Sequence, residues 1–516
     1  MALAGALLFA PGCRRAPAAF KHVVFFIGDG MSAETEIAAS RYLYGKDDGL
    51  VWQTLPSRAY VATWDVNVYN SHSRREGRPP YSRASFTPVL GYDVRADGSK
   101  PMAGPGGTHR FPPGPATDSA SAATALATGF KTDSGNIAWL PGDPPDGQLP
   151  TIAEEFRART GAGIGIVSTV PFDHATPASF VSHNTSRSAY YTGLKGSKGL
   201  GIADEIILRT KPDVVIAGGS PLLDNPGFDT KKGYISASLY SALQASRDYL
   251  LVERKPGQDG GQAILEGAAQ AAHEGRKLFG LFGGKGGNFE VPRVENSPGR
   301  PRITPGSEEN PSLAQATEAA LDYLGPNAAG FFLVVEQGDI DWANHDNDFR
   351  AMVGSVADLD GAVRAALAFV DRPGDDVDWT NTVLLVTADH ATGGLFLDPA
   401  RPLGLGELPR QDARVEDYEA PPPTGSDRGP VGNGVVLKKP DYASPYVYPD
   451  EEVSYGTAGH TNELVDLAVM GAAARTFMKF RGTWYPGPIL DNTQINAALR
   501  EALGLPALGR HPRRAG

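Results

Sequence analysis

Short runs of β-branched and aromatic residues recur along this chain, separated by longer amphipathic stretches. The runs are Val23–Ile27, Tyr60–Thr63, Gly163–Ser168, Asp213–Ala217, Leu278–Phe282, Phe331–Val335 and Val383–Thr387. Several are apolar without alternation, the pattern of strands covered on both faces. The intervening stretches predict helices over Ser119–Thr128, Leu313–Leu324, Phe349–Val370 and Glu463–Lys479. Strands that alternate with helices restrict the chain to an α/β fold, with a mostly parallel central sheet flanked by helices on both faces. We expect one large domain over residues 19–500, carrying loop-rich insertions at about 65–115 and 396–455. The first insertion is rich in Pro, Gly, Ser and Arg, and the second contains Pro421-Pro422-Pro423. Both read as walls of a site, a subunit contact or plain surface loops, and residues 501–516 as a polar tail.

Composition narrows the function classes. Hydrophobic residues make up 41% of the 516 and charged ones 21%, enough for a sizeable core. A net charge of −11 argues against nucleic-acid binding, because no broad face would neutralise phosphates. A local positive site for a small anion remains compatible. The single cysteine, Cys13, rules out an intrachain disulfide and any thiolate metal site, so a metal must use His, carboxylate and hydroxyl ligands. Residues 1–18 start with an apolar, small-residue run too short to span a bilayer as a helix, and read as the remains of an export signal. Gly12-Cys13 resembles a bacterial lipoprotein cleavage site, at which Cys13 would carry lipid. Against that, no basic residue precedes the run and Ala10 replaces a larger aliphatic. The expected location is periplasmic or extracellular.

The chemistry-bearing residues follow the strand-like runs. Val23–Ile27 empties into Gly28-Asp29-Gly30, where ligands gather in open α/β sheets. The glycines let the chain turn sharply and leave room for ions beside Asp29, although Gly-Asp-Gly is equally an ordinary turn. Asp118-Ser119 opens a small-residue helix, whose free amides and dipole favour an oxyanion; the competing reading is a plain N-cap. After Phe331–Val335 come Glu336, Asp341 and His345. If helical, Asp341 and His345 share a face and can hold one ion. Carboxylate with imidazole suits zinc, whereas Glu336 suits a harder ion such as magnesium. A solvated acidic loop over Asp339 to Asp348 is the competing reading. Val383–Thr387 leads into Ala388-Asp389-His390, and His460 stands apart between Gly459 and Thr461.

Taken together, these segments resemble the alkaline phosphatases of the bacterial and animal type. Ile27-Gly28-Asp29-Gly30-Met31 looks like the first metal motif of that family. Thr117-Asp118-Ser119-Ala120, with Thr128-Gly129 and Lys131-Thr132, resembles its nucleophile helix. Ala175-Thr176-Pro177-Ala178, His183 and Thr185-Ser186-Arg187 resemble the segment with a metal-binding threonine and the phosphate-binding arginine. Glu336, Asp341, His345, Thr387-Ala388-Asp389-His390 and Gly459-His460-Thr461 complete the series in family order. The resemblance implies hydrolysis of phosphomonoesters through a phosphoserine on Ser119, with Arg187 binding the phosphate. It further implies two Zn2+, one on Asp341, His345 and His460 and one on Asp29, Asp389 and His390. A third metal, Mg2+ or Zn2+, would sit on Asp29, Thr176 and Glu336, and a homodimer is implied as well.

Asp118, His174 and Trp342 would stand just behind these ligands. Some relatives have Asp and Lys where this chain has His174 and Trp342, so a lysine contact to phosphate through water is lost. His174 brings a nitrogen near the third ion and leaves its identity open. Asp389-His390-Ala391-Thr392 also lacks a histidine that some members carry after this motif. Competing readings are a phosphodiesterase or sulfatase of the same superfamily, and an inactive secreted phosphate- or metal-binding protein. Sulfatase maturation would need a cysteine, and the nucleophile position holds serine.

Overall fold

Strand β1 (His22–Gly28) is buried along its whole length, and a ten-stranded sheet is built around it. The computed structural model describes residues 20–92, 115–191, 200–221, 234–284, 286–413 and 445–508. The other strands are β2 (Ser57–Ala62), β3 (Gly163–Pro171), β4 (Val214–Gly218), β5 (Tyr249–Glu253), β6 (Lys277–Leu281), β7 (Phe331–Gln337), β8 (Thr382–Thr387), β9 (Val465–Met470) and β10 (Ile489–Asp491). Their order across the sheet is β10-β2-β9-β8-β1-β7-β3-β4-β6-β5. All run the same way except β9, which is antiparallel to β8 and β2. Val23, Val24, Phe25, Phe26 and Ile27 are fully buried, as strands covered by helices on both faces require.

The helices over Ser119–Thr128, Leu313–Leu324 and Phe349–Val370 lie where the sequence periodicity puts them. Glu463–Lys479 does not form one helix. Its first part is strand β9, and a short helix, Ala474–Met478, follows the turn at Gly471. Leu467, Ala468 and Met470 would suit a helix, but the open edges of β8 and β2 bind this backbone from both sides, and pairing overrides propensity. The described part of the first insertion, residues 65–92, packs as more than a surface loop. Asp65 caps a helix over Val66–Arg75. Trp64, Tyr69, Leu90, Tyr92 and Tyr485 form a second apolar cluster, with Tyr81 and Phe86 against it.

In the second insertion, Leu395–Leu397 pairs with Val453–Tyr455 and Asp412–Ala413 with Tyr446–Val447. Its proline run, the 1–18 segment with Cys13, and the end of the tail from residue 509 lie outside the described residues. Among the described residues, no helix is long and apolar enough to cross a membrane.

Candidate active site

Four adjacent parallel strands, β8, β1, β7 and β3, end at one edge of the sheet, and the segments that leave them build the site. Registers such as Ile27 with Thr387, Ile27 with Glu336 and Ser168 with Glu336 bring Asp389, Asp29, Glu336 and Thr176 to a common level. Gly30 has φ +69°, and a Cβ there would lie 2.7 Å from Asp341 Cα. Its lack of a side chain therefore admits Asp341, while Gly28 makes room for Met31, whose Sδ would be 2.9 Å from an added Cβ. Room for neighbouring side chains, rather than for ions, is what these glycines provide.

Two groups of ligand-type side chains result. Asp29, Asp389 and His390 have donor atoms within 4.8 Å of one another, and so do Asp341, His345 and His460. Asp341 and His345 do share one face of a helix, Asp339–His345, with 3.3 Å between Nε2 and a carboxylate oxygen. Asp339, Asp341 and Asp348 are buried, so this is not a solvated loop. Beside Asp29, Thr176 Oγ1 donates to Oδ2 at 3.4 Å, and Ser168 Oγ donates to Glu336 Oε2.

All three imidazoles are oriented alike. His345 Nδ1 faces Ala458 O at 2.7 Å, and His460 Nδ1 faces Thr117 O at 2.8 Å. A carbonyl can only accept, so both Nδ1 atoms carry hydrogen. His390 Nδ1 lies 3.3 Å from Thr392 Oγ1, whose single hydrogen goes to Asp341 Oδ1. The threonine oxygen is then left to accept from Nδ1. Every Nε2 therefore turns inward: those of His345 and His460 are 3.1 Å apart, and that of His390 is 3.1 Å from Ser119 Oγ. Such backing by carbonyls and hydroxyls fixes imidazoles for metal binding.

Ser119 begins the helix Ser119–Thr128, and Asp118 is its N-cap. The cap also does more. Asp118 Oδ1 accepts from the amides of Ser121 and Gly135 at 3.0 and 3.1 Å, while Oδ2 accepts from Arg187 Nη1 at 2.9 Å. Burial alone would raise the Asp118 pKa; Arg187 and these donors outweigh it and hold it at about 2. Asp118 is thus a permanent anion that aims the guanidinium.

The carboxylates around Asp29 behave oppositely. Burial, then Asp389, pushes Asp29 well up; burial, then Asp341 and Glu336, lifts Asp389 to about 8; burial lifts Glu336 to about 7. Like charges crowded in a dry place cannot all ionise without a cation. Burial disfavours a proton on His345, yet Asp341 outweighs it and raises the pKa to about 9. In addition, Asp29 Oδ1, Asp389 Oδ2 and Glu336 Oε1 are buried with no hydrogen-bond donor among the described residues. Unsatisfied buried acceptors and inward imidazole Nε2 atoms, from which a cation would displace any proton, fit bound divalent cations.

A cleft of about 360 Å³ opens over these groups, lined by Ser119, His174, Arg187, Asp341, Trp342, His345, Asp346 and His460. His174 and Trp342, which both line it, meet edge to face at 6.0 Å. Thr392, Ser121 and Ser168 are the participants that sequence reasoning missed; Ser121 bonds Asp118 three positions before it, Ser168 bonds Glu336 across the adjacent strand, and Thr392 bonds Asp341 far away in sequence, and no residue-type signal marks any of them. Thr392, two positions after His390 in the segment that pairs with His460, carried the nearest hint.

The family described as Alkaline phosphatase matches residues 107–503. The chain is 29% identical to the alkaline phosphatase of Escherichia coli K12 over 73% of this chain and 72% of that one. It is 31% identical to alkaline phosphatase H of Pseudomonas aeruginosa over 73% and 71%, and 28% identical to the streptomycin-6-phosphate phosphatase of Streptomyces griseus over 76% and 78%. In fold it is similar to the Thermus thermophilus alkaline phosphatase, with a TM-score of 0.58, 20% identity and coverage of 97% and 96%. Sheet, clustered ligands and relatives together define an enzyme of the metal-dependent phosphatase class. The chain belongs to the alkaline phosphatase family.

Proposed function

We propose that this enzyme hydrolyses phosphate monoesters in two steps, through a phosphoserine at Ser119. The observation that carries the reading is Ser119 Oγ at a helix start, 3.1 Å from His390 Nε2, on the cleft that Arg187 also lines. Asp341, His345 and His460 would hold one Zn2+, and Asp29, Asp389 and His390 a second. Tetrahedral zinc sets two nitrogen ligands about 3.3 Å apart, near the His345–His460 separation. Asp29, Thr176 and Glu336 offer only oxygen, which suits Mg2+. A variant of the TAB5 alkaline phosphatase is described with Mg in its M3 site. His174 Nδ1, buried without a partner among the described residues, would turn the third site toward Zn2+. Bound, the ions supply Lewis-acid chemistry, neutralising phosphate charge and lowering the pKa of hydroxyl and water.

The chain's own groups do the rest. Arg187 pairs bidentately with two non-bridging oxygens, which a lysine cannot match, and Asp118 keeps it there. The first amides of the helix add donors to the same phosphate. Ser119 Oγ gives up its proton to solvent and forms the new P–O bond while the ester P–O bond breaks, and the leaving oxygen takes a proton from solvent. Water then attacks phosphorus, the Ser119 Oγ–P bond breaks, a proton lost by the water returns to Ser119 Oγ, and inorganic phosphate leaves. Ser119→Ala should abolish turnover of a p-nitrophenyl monoester while the purified protein keeps its metals by elemental analysis. Retained turnover would refute the nucleophile. Preference for a p-nitrophenyl diester would refute the monoester reading.

A further inference from the structure

We infer that Trp342 is the platform on which the leaving group rests, and that it selects phosphomonoesters whose alcohol carries an aromatic ring. This deepens the phosphomonoesterase reading and rests on it. The other residues lining the cleft are serine, histidine, arginine and aspartate, so the indole is the one apolar surface there among the described residues. It stays 38% exposed, which is unusual for a tryptophan, and of the large hydrophobic side chains exposed in the described residues it alone lines the cleft. Trp342 lies in the helix between Asp341 and His345, so its backbone is held by the turn that carries two ligand-type side chains. His174 braces it edge to face, at 6.0 Å and 61°. An edge-to-face contact holds the ring and leaves at least one indole face uncovered, and aromatic rings pair by offset stacking on such a face.

Phosphate would take the end of the cleft at Ser119 and Arg187. A leaving group then emerges toward the rim, where Trp342 stands. A sugar or glycerol gains little from an indole, whereas a nucleobase or aryl ring stacks on it whatever its hydrogen-bonding edge.

Adenosine 5′-monophosphate and ribose 5-phosphate have the same kind of primary leaving oxygen and differ in the base, so their kcat/KM ratio reads the platform. For the metal-loaded enzyme the ratio should exceed one, and Trp342→Leu should lower it about five- to tenfold. Trp342→Phe should restore most of it, which space-filling alone would not achieve. An unchanged ratio in Trp342→Leu overturns the inference. Equal losses on both substrates, matched by weaker inhibition by inorganic phosphate, also overturn it by putting Trp342 against the phosphate. Failure of the unaltered enzyme to hydrolyse either ester would instead sink the phosphomonoesterase reading, and this inference with it.

Discussion

Asp118 couples helix capping to the placement of Arg187, because one carboxylate caps the helix that begins at Ser119 and holds the guanidinium; in the proposed reaction this ties the nucleophile to phosphate recognition. Replacing Arg187 with lysine removes the bidentate fork but keeps the charge. We expect kcat/KM to fall about ten- to hundredfold, with stability little changed, in steady-state assays beside thermal melts. Thr392 deserves the same test at the metal groups. Its hydroxyl donates to Asp341 and accepts from His390, so Thr392→Val frees the imidazole to adopt the other tautomer. Divalent metal affinity should drop about ten- to hundredfold, as judged by competition with a chelator. The residue types at the strand ends were legible in the sequence, and so was the helical spacing of Asp341 and His345. Thr392 was not, because a threonine has no ligand-like signature and its role depends on a strand pairing with the distant His460.

At the level of elements, the ends of adjacent strands do the positioning. Gly30→Ala would force a Cβ against Asp341 at a positive φ, and should lower both metal content and melting temperature, by more than the roughly 1 kcal/mol of an unstrained glycine change. The segment bearing Arg187 is pinned by His183, with Nδ1 3.0 Å from Glu205 and Nε2 3.0 Å from Leu149 O. Burial disfavours its charge, but Glu154 and Glu205 outweigh that and raise its pKa to about 9. A raised histidine stabilises fully below its ordinary pKa of 6.5 and loses the contribution as pH climbs through about 9. The melting-temperature gap between the native enzyme and His183→Gln should therefore be widest near pH 6 and shrink by pH 10. The buried strands were readable because continuous apolar runs have one use in a parallel sheet. β9 was misread as helix because Val465–Met470 gains its strand character only from edges offered by residues far away in sequence.

Across the whole molecule, several carboxylates that burial would neutralise meet at one edge of the sheet. Removing cations with a chelator should abolish activity and lower the melting temperature, with both restored by adding metal; a midpoint insensitive to chelation would contradict cations as part of the folded centre. The fold class followed from the alternation of runs and helices, and the clustering of Asp29 with Asp389 or of Asp341 with His460 needed the sheet order. The first insertion was legible only as composition, since Trp64 and Tyr485 find each other across the sequence. The most direct test is to quench the metal-loaded enzyme in acid during turnover of a phosphomonoester and analyse its peptides by mass spectrometry. One phosphoryl group on the peptide containing Ser119, absent from Ser119→Ala, is the predicted result. Rapid turnover with no phosphorylated Ser119 at any time, or with the label on another residue, would contradict the account.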